Sequence, residues 1–181
     1  MNSFAEDAAL FATAPFHRLV PARAGYQNLP IQEGFNWSYT LEPLTSGRWH
    51  LIVFRSQRKA GVDDGLLTTH DDLAFAEAMA SGGLLRYYKG AADRSGRCLS
   101  LCVWQTRRHA LAATRRPEHR VAANLAMQFY DSYDVERYVL RKRRGRVDPE
   151  IVPVPSVPRQ AAGPADQPTS PSLRAEGALA R

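Results

Sequence analysis

Cysteine is scarce in this chain: two among 181 residues, Cys98 and Cys102. They fall four apart in one predicted strand, which sets them about 13 Å apart at strand rise. That separation excludes a disulfide between them. A zinc site would need two further ligands and a loop, which the surrounding residues do not offer. Two reduced thiols packed in or under a sheet are the expectation. Long hydrophobic runs are also missing. The stretch Leu99 to Trp104, interrupted by Ser100, is far short of a membrane span. There is no HExxH, no paired CxxC and no phosphate-binding glycine loop, so neither a metal nor a cofactor is expected. The N-terminus carries Glu6 and Asp7 where a secretory signal would be basic. These absences lead to the expectation of a soluble, cytoplasmic protein with no membrane partner.

What is present supports a real core: 44% of the residues are hydrophobic. The net charge is +6, but the excess is local. Arg141, Lys142, Arg143, Arg144 and Arg146 form one cluster. Such a run reads first as a solvated strand end leading into a tail, and argues only weakly for nucleic acid.

The pattern between Arg48 and Arg144 is strand, helix, strand, strand, helix, strand. Arg48 to Arg55 alternates two apolar sets, Trp49, Leu51, Val53 and His50, Ile52, Phe54, which predicts a central strand covered on both faces. Ser56 to Leu67 reads as a polar loop. Thr69 is the expected cap of a helix with Asp71 and Asp72 in its first turn, ended by Gly82 and Gly83. Leu84 to Gly90 and Arg97 to Gln105 are the next strands, joined by a hairpin turn over Ala91 to Gly96. Thr106 caps a second helical region that Pro117 divides into two pieces, near Arg107 to Thr114 and Pro117 to Tyr130. Asp131 to Asp134 reads as a turn, and Val135 to Lys142 as the last strand.

Residues 1–47 are expected to form an arm that packs on this domain, with a short helix over Asn2 to Ala12 and an added strand over Trp37 to Leu41. The domain proper is expected over residues 48–147. From Asp148 to the end, Pro, Ala, Gly and Ser without periodicity predict a disordered tail, residues 148–181.

The element order is the ferredoxin-like βαββαβ unit, an α+β sandwich with helices on one sheet face. The other face must be covered by a second copy, a ligand or the rest of the chain. On the third strand, Leu99, Leu101 and Val103 are expected beneath the helices. Cys98, Ser100, Cys102 and Trp104 form the mixed face, suited to a dimer interface, a pocket wall or the arm.

The motifs Gly82 to Tyr88, Cys102-Val103-Trp104, Arg116 to His119 and Tyr130 to Tyr138 resemble an uncharacterised family of fungal and bacterial proteins, over roughly Phe54 to Lys142. That resemblance implies no activity. More broadly, the unit resembles the dimeric α+β barrel superfamily, which includes antibiotic-biosynthesis monooxygenases and haem-degrading monooxygenases. This second resemblance implies a homodimer through open sheet faces and a cavity between helices and sheet. It aligns Trp104 and His119 with two pocket positions of the haem-degrading branch, while Pro117 departs from that pattern.

The candidate site residues are His119 as proton acceptor, with Trp104, Tyr87, Phe54 and Tyr138 as substrate-binding residues. Neutral imidazole suits a base, and phenols with an indole suit a small aromatic ligand. Each has a plainer alternative: a turn-stabilising histidine, and tyrosines that simply suit strands. Glu136 is expected to pair with Arg55 or Arg86 across the sheet. Two functions stand at this point: a small-molecule-binding protein, in its catalytic form a cofactor-independent monooxygenase-like enzyme on a small aromatic compound, or a non-catalytic binding or structural protein. An RNA-binding module shares the element order, but Arg97 to Trp104 lacks its pair of stacking aromatics.

Overall fold

The computed structural model describes residues 15–155. The expected Asn2 to Ala12 helix lies outside them. Two short 3-10 turns, Pro15–Arg18 and Tyr26–Asn28, lead into α1 (Ile31–Gly34) and α2 (Trp37–Leu41). Then follow β1 (Gly47–Arg58), α3 (Asp64–Ala80), β2 (Leu84–Tyr88), β3 (Arg97–Trp104), α4 (Arg107–Ala113), α5 (Pro117–Phe129), β4 (Tyr130–Lys142) and β5 (Glu150–Pro153). The sheet order is β2-β3-β1-β4-β5, with every neighbouring pair antiparallel. The first four strands therefore take the ferredoxin-like arrangement, and β5 extends its edge.

Several boundaries differ from expectation. β1 runs on to Arg58, and Asp63, not Thr69, starts the helix. The Asp63 carboxylate accepts from the N–H groups of Gly65 (2.8 Å) and Leu66 (3.0 Å), two of the donors a helix start leaves unpaired. Thr69 lies inside α3, its hydroxyl bonded back to Gly65 O. The longer β1 provides backbone partners for Tyr130 to Asp134, so the expected turn is strand, with Tyr133 opposite Ser56 and Asp134 opposite Arg55. Trp37–Leu41 is helical rather than a strand. The helix stop was legible: Gly82 and Gly83 take φ of 78° and 73°.

Disorder from Asp148 onward is also overturned as far as Pro153. Ile151 buries opposite Leu140, while Glu150 pairs with Arg143 at 2.8 Å. One buried apolar side chain and the ion pairs of Glu150 with Arg141 and Arg143 hold a four-residue edge strand that the tail's average composition conceals.

The two sheet faces are covered by different parts of the chain. Residues 15–44 lie over one face, where Phe16, Leu19, Tyr26, Ile31, Phe35, Trp37 and Leu41 bury against Leu51, Val53, Leu99, Leu101, Val103 and Leu140. The Trp37 indole N–H donates to Ile31 O (2.7 Å), and Asn36 ties Val20 N (2.9 Å) to Arg18 O (3.1 Å). Each buried aromatic or leucine in such a layer contributes about 1.5–3 kcal/mol. The other face carries α3, α4 and α5 over Ile52, Leu84, Cys102 and Trp104.

The facing of β3 is thus the reverse of the expected one. Its aliphatic side lies beneath the arm, and its Cys102–Trp104 side lies beneath the helices. The helices explain the choice. They bury alanines (Ala78, Ala110, Ala113), which let backbone approach closely and leave room for a tryptophan. The large side chains of the arm match the smooth aliphatic face instead. The sheet face expected to be open for a homodimer is occupied by the chain's own arm.

Candidate functional site

The period of two along β1, β2 and β3 places Phe54, Tyr87 and Trp104 together on the helical side of the sheet. Tyr138 falls on the opposite side, against the arm, where its hydroxyl donates to Glu136 Oε2 (2.9 Å). Burial, then this bond, pushes its phenol up to about 12. Tyr138 is therefore separated by the sheet from the other three.

Across the helical face, Tyr87 sits opposite Cys102, which sits opposite Ile52. The Tyr87 hydroxyl donates to Asp71 Oδ1 (2.5 Å), and Lys89 holds Asp71 Oδ2 (2.8 Å). Desolvation and the adjacent Asp71 charge keep that phenol protonated far above its ordinary range. Phe75 of α3 lies against the Tyr87 ring at 5.4 Å. Tyr133 joins from β4, its ring 6.0 Å from Phe54 and 5.3 Å from Tyr130. Burial raises the Tyr133 phenol as well. Both thiols are free and buried; desolvation raises them, Cys102 most strongly, so they are poor nucleophiles.

Trp104 closes one end of the layer. It is 2% exposed, packed with Ala110 and Ala113, and among the described residues its indole N–H is buried without an acceptor. Leaving such a donor unpaired costs about 1–3 kcal/mol. His50 lies opposite Trp104 in the β1–β3 register. Burial, then the charges of Arg107 and Arg137, lowers its imidazole below the ordinary value.

His119 stands on the helix layer rather than on the sheet. α5 begins at Pro117, and Glu77 of α3 caps it from across the helix pair. Its Oε2 accepts from Glu118 N (2.8 Å) and His119 N (3.3 Å). Burial lowers the His119 imidazole, against an opposing backbone contact with Ala74 and the Glu77 charge. Among the described residues its Nδ1 is buried without a partner. The ring is thus neutral at neutral pH.

Of the five candidates, the structure gathers Phe54, Tyr87 and Trp104, places His119 in the α3–α5 layer above that sheet face, and sets Tyr138 apart. Tyr133 and His50 were not among the candidates. The signal for Tyr133 was its alternation with Val135, hidden by reading Asp131 to Asp134 as a turn. For His50 it was the shared apolar set with Ile52 and Phe54. Among the described residues, no group of three or more His, Cys, Asp or Glu side chains converges as metal ligands, and no helix is long and apolar enough to cross a membrane.

Fold and layer together define an α+β protein of ferredoxin-like topology with an aromatic, phenol-rich layer between helices and sheet. The chain belongs to the PB2B2.08-like family, whose model matches residues 1–152. No curated protein matches it. Among solved structures it is similar to SnoaB, a cofactor-independent oxygenase from Streptomyces nogalater, at 12% identity over 53% of this chain and 94% of that one, with a TM-score of 0.43. It is similar also to a putative antibiotic biosynthesis monooxygenase from Nitrosomonas europaea (12% identity, 51% and 88% of the chains, TM-score 0.44). A third is a putative monooxygenase from Lactobacillus acidophilus (11% identity, 57% and 50%, TM-score 0.45).

Proposed function

We propose that this chain is a small-molecule-binding protein that takes a small aromatic ligand between its helices and its sheet, over Phe54, Tyr87, Tyr133 and Trp104. The observation that carries this reading is an unsatisfied polar tip in an aromatic layer: among the described residues, the Trp104 indole N–H is buried without an acceptor. A flat ligand with an oxygen at its edge would accept from that N–H while its body packs on the aromatic floor. In the catalytic form of this reading, a cofactor-independent monooxygenase-like enzyme, neutral His119 accepts a proton from the bound compound. A purely binding role is favoured instead by one observation: the Tyr87 hydroxyl is committed to Asp71 and does not serve as a free acid.

Native mass spectrometry of the full chain from its own host, joined to fluorescence titration with a dihydroxynaphthalene, tests the reading. Retained ligand or saturable quenching is expected. A Tyr133→Phe variant, which keeps the ring, should fold normally and bind about tenfold more weakly. Absence of both retention and quenching rejects the reading. If His119→Ala binds normally and any turnover survives, the proton-acceptor role is lost while the binding role stands.

A further inference from the structure

A cluster of cationic side chains lines a cleft on the opposite side of the sheet, where β4 runs out at Lys142. The chain reverses there through Arg143 to Arg146, with Arg146 N donating to Arg143 O (3.1 Å) and Gly145 at φ 75°. Arg141 and Arg143 are neutralised by the one carboxylate of Glu150, at 3.8 and 2.8 Å. Asp148, the other acid of this turn, accepts from the Ser38 hydroxyl (2.6 Å). Lys142, Arg144 and Arg146 therefore have no carboxylate partner among the described residues.

Lys142 is the unusual member. It is 7% exposed, and its ammonium donates to Val147 O (2.6 Å) with no counter-ion. Withdrawing an ammonium from water without an anion is costly, and one backbone carbonyl offsets only part of that. Lys142, Arg144 and Arg146 line a single cleft of about 570 Å³, whose other walls include Tyr39, Leu44 and Val147. Tyr39 is 57% exposed, and the Arg18 guanidinium lies 3.8 Å from its ring centroid. Glu42, the acid on the rim, is turned to Arg18 at 3.6 Å.

We propose that this cleft binds a phosphomonoester of a small organic molecule. The phosphate supplies the missing counter-ion of Lys142 and accepts from Arg144 and Arg146. Guanidinium matches phosphate oxygens two at a time, and the lysine acts as a point charge. The organic body rests against the exposed Tyr39 ring with Leu44 and Val147, in an amphipathic wall of the kind such ligands use. The site shares no residue with the aromatic layer beneath the helices, so either can fail without the other.

Isothermal titration of the full chain with adenosine 5′-monophosphate, inorganic phosphate and adenosine tests it. The monophosphate should bind saturably, more tightly than phosphate, with affinity falling as salt rises; adenosine should not bind. The exposed double variant Arg144→Ala/Arg146→Ala should unfold at the wild-type temperature and bind about tenfold more weakly, as should Lys142→Met. No saturable binding by about 10 mM, or binding indifferent to the double variant, would overturn the site. Equal binding of phosphate and monophosphate would remove the role of Tyr39. Tighter binding of a single-stranded RNA than of the monophosphate would overturn the small-molecule assignment.

Discussion

Arg55 reaches diagonally across the β1–β4 pair to Glu136, Nε to Oε1 at 2.9 Å, and spends its other two nitrogens on the arm. They donate to Gln27 O and Leu29 O, each at 2.8 Å. One guanidinium thus fastens the two central strands to the segment that covers them. Its fork geometry makes this possible, since a lysine could not serve three acceptors in these directions.

Replacing Arg55 with Met should leave Glu136 and two carbonyls short of their donor. We expect a loss of about 2 kcal/mol, read as a lower urea midpoint with faster amide exchange over residues 26–41. The exposed pair Arg23–Glu33, at 3.4 Å, is the control. Arg23→Ala should change stability by less than about 0.5 kcal/mol. Equal effects from the two variants would show that Arg55 is not the fastener.

Removing the arm should uncover Leu51, Val53, Leu99, Leu101 and Val103, a continuous aliphatic patch. A chain beginning at residue 47 is expected to self-associate or precipitate, as size-exclusion chromatography with light scattering would report. A soluble monomer would mean that the patch tolerates water and that the arm is dispensable.

Glu77 caps a helix to which it does not belong. Glu77→Ala takes the acceptor from Glu118 N and His119 N and the negative charge from the start of α5. The expected cost is about 1–2 kcal/mol, with amide protection lost first at Glu118 and His119. Glu77→Gln keeps an acceptor and should recover much of it. If the alanine variant matches wild type in melting temperature, water serves the cap equally well.

Two histidines make stability depend on pH in a definite direction. His50 and His119 both titrate below their ordinary value in the folded protein, chiefly through burial. The unfolded chain, with histidine near about 6.5, therefore binds protons first as pH falls. Their contribution to stability is complete above about 6.5 and is lost as pH drops from there towards the folded-state values. Urea midpoints should be lower at pH 5.5 than at pH 7.5, and His119→Gln should flatten part of that slope. A midpoint that rises on acidification in this window would contradict the burial argument.

The aromatic layer was only partly legible in the chain. Strand periodicity placed Phe54, Tyr87 and Trp104 on alternating positions that the fold brings to one face, and the pairing of Arg55 with Glu136 was among the alternatives the sequence allowed. Tyr138 was misplaced because strand parity counts from a start point. Reading Asp131 to Asp134 as a turn removed the run that shows Tyr133, Val135 and Arg137 on one side and Glu136 and Tyr138 on the other. His119 was visible as a histidine at a helix start, but nothing local announced that its imidazole would be buried against α3.

By itself the sequence determined the order of the elements, because each depends on local signals: the glycines that stop α3, the threonine before α4, Pro117 at the start of α5, and the period of two in β1 and β3. Only the tertiary structure decided which face of the sheet each layer covers. Both faces of β1 and β3 are apolar enough to be buried, so alternation cannot distinguish them. The choice follows from the volume of what lies opposite: alanines over Trp104 on one side, and the aromatic side chains of residues 15–44 over leucine and valine on the other. The same long-range packing made a strand of Glu150–Pro153, since its stability resides in Leu140, Arg143 and the arm rather than in its own four residues.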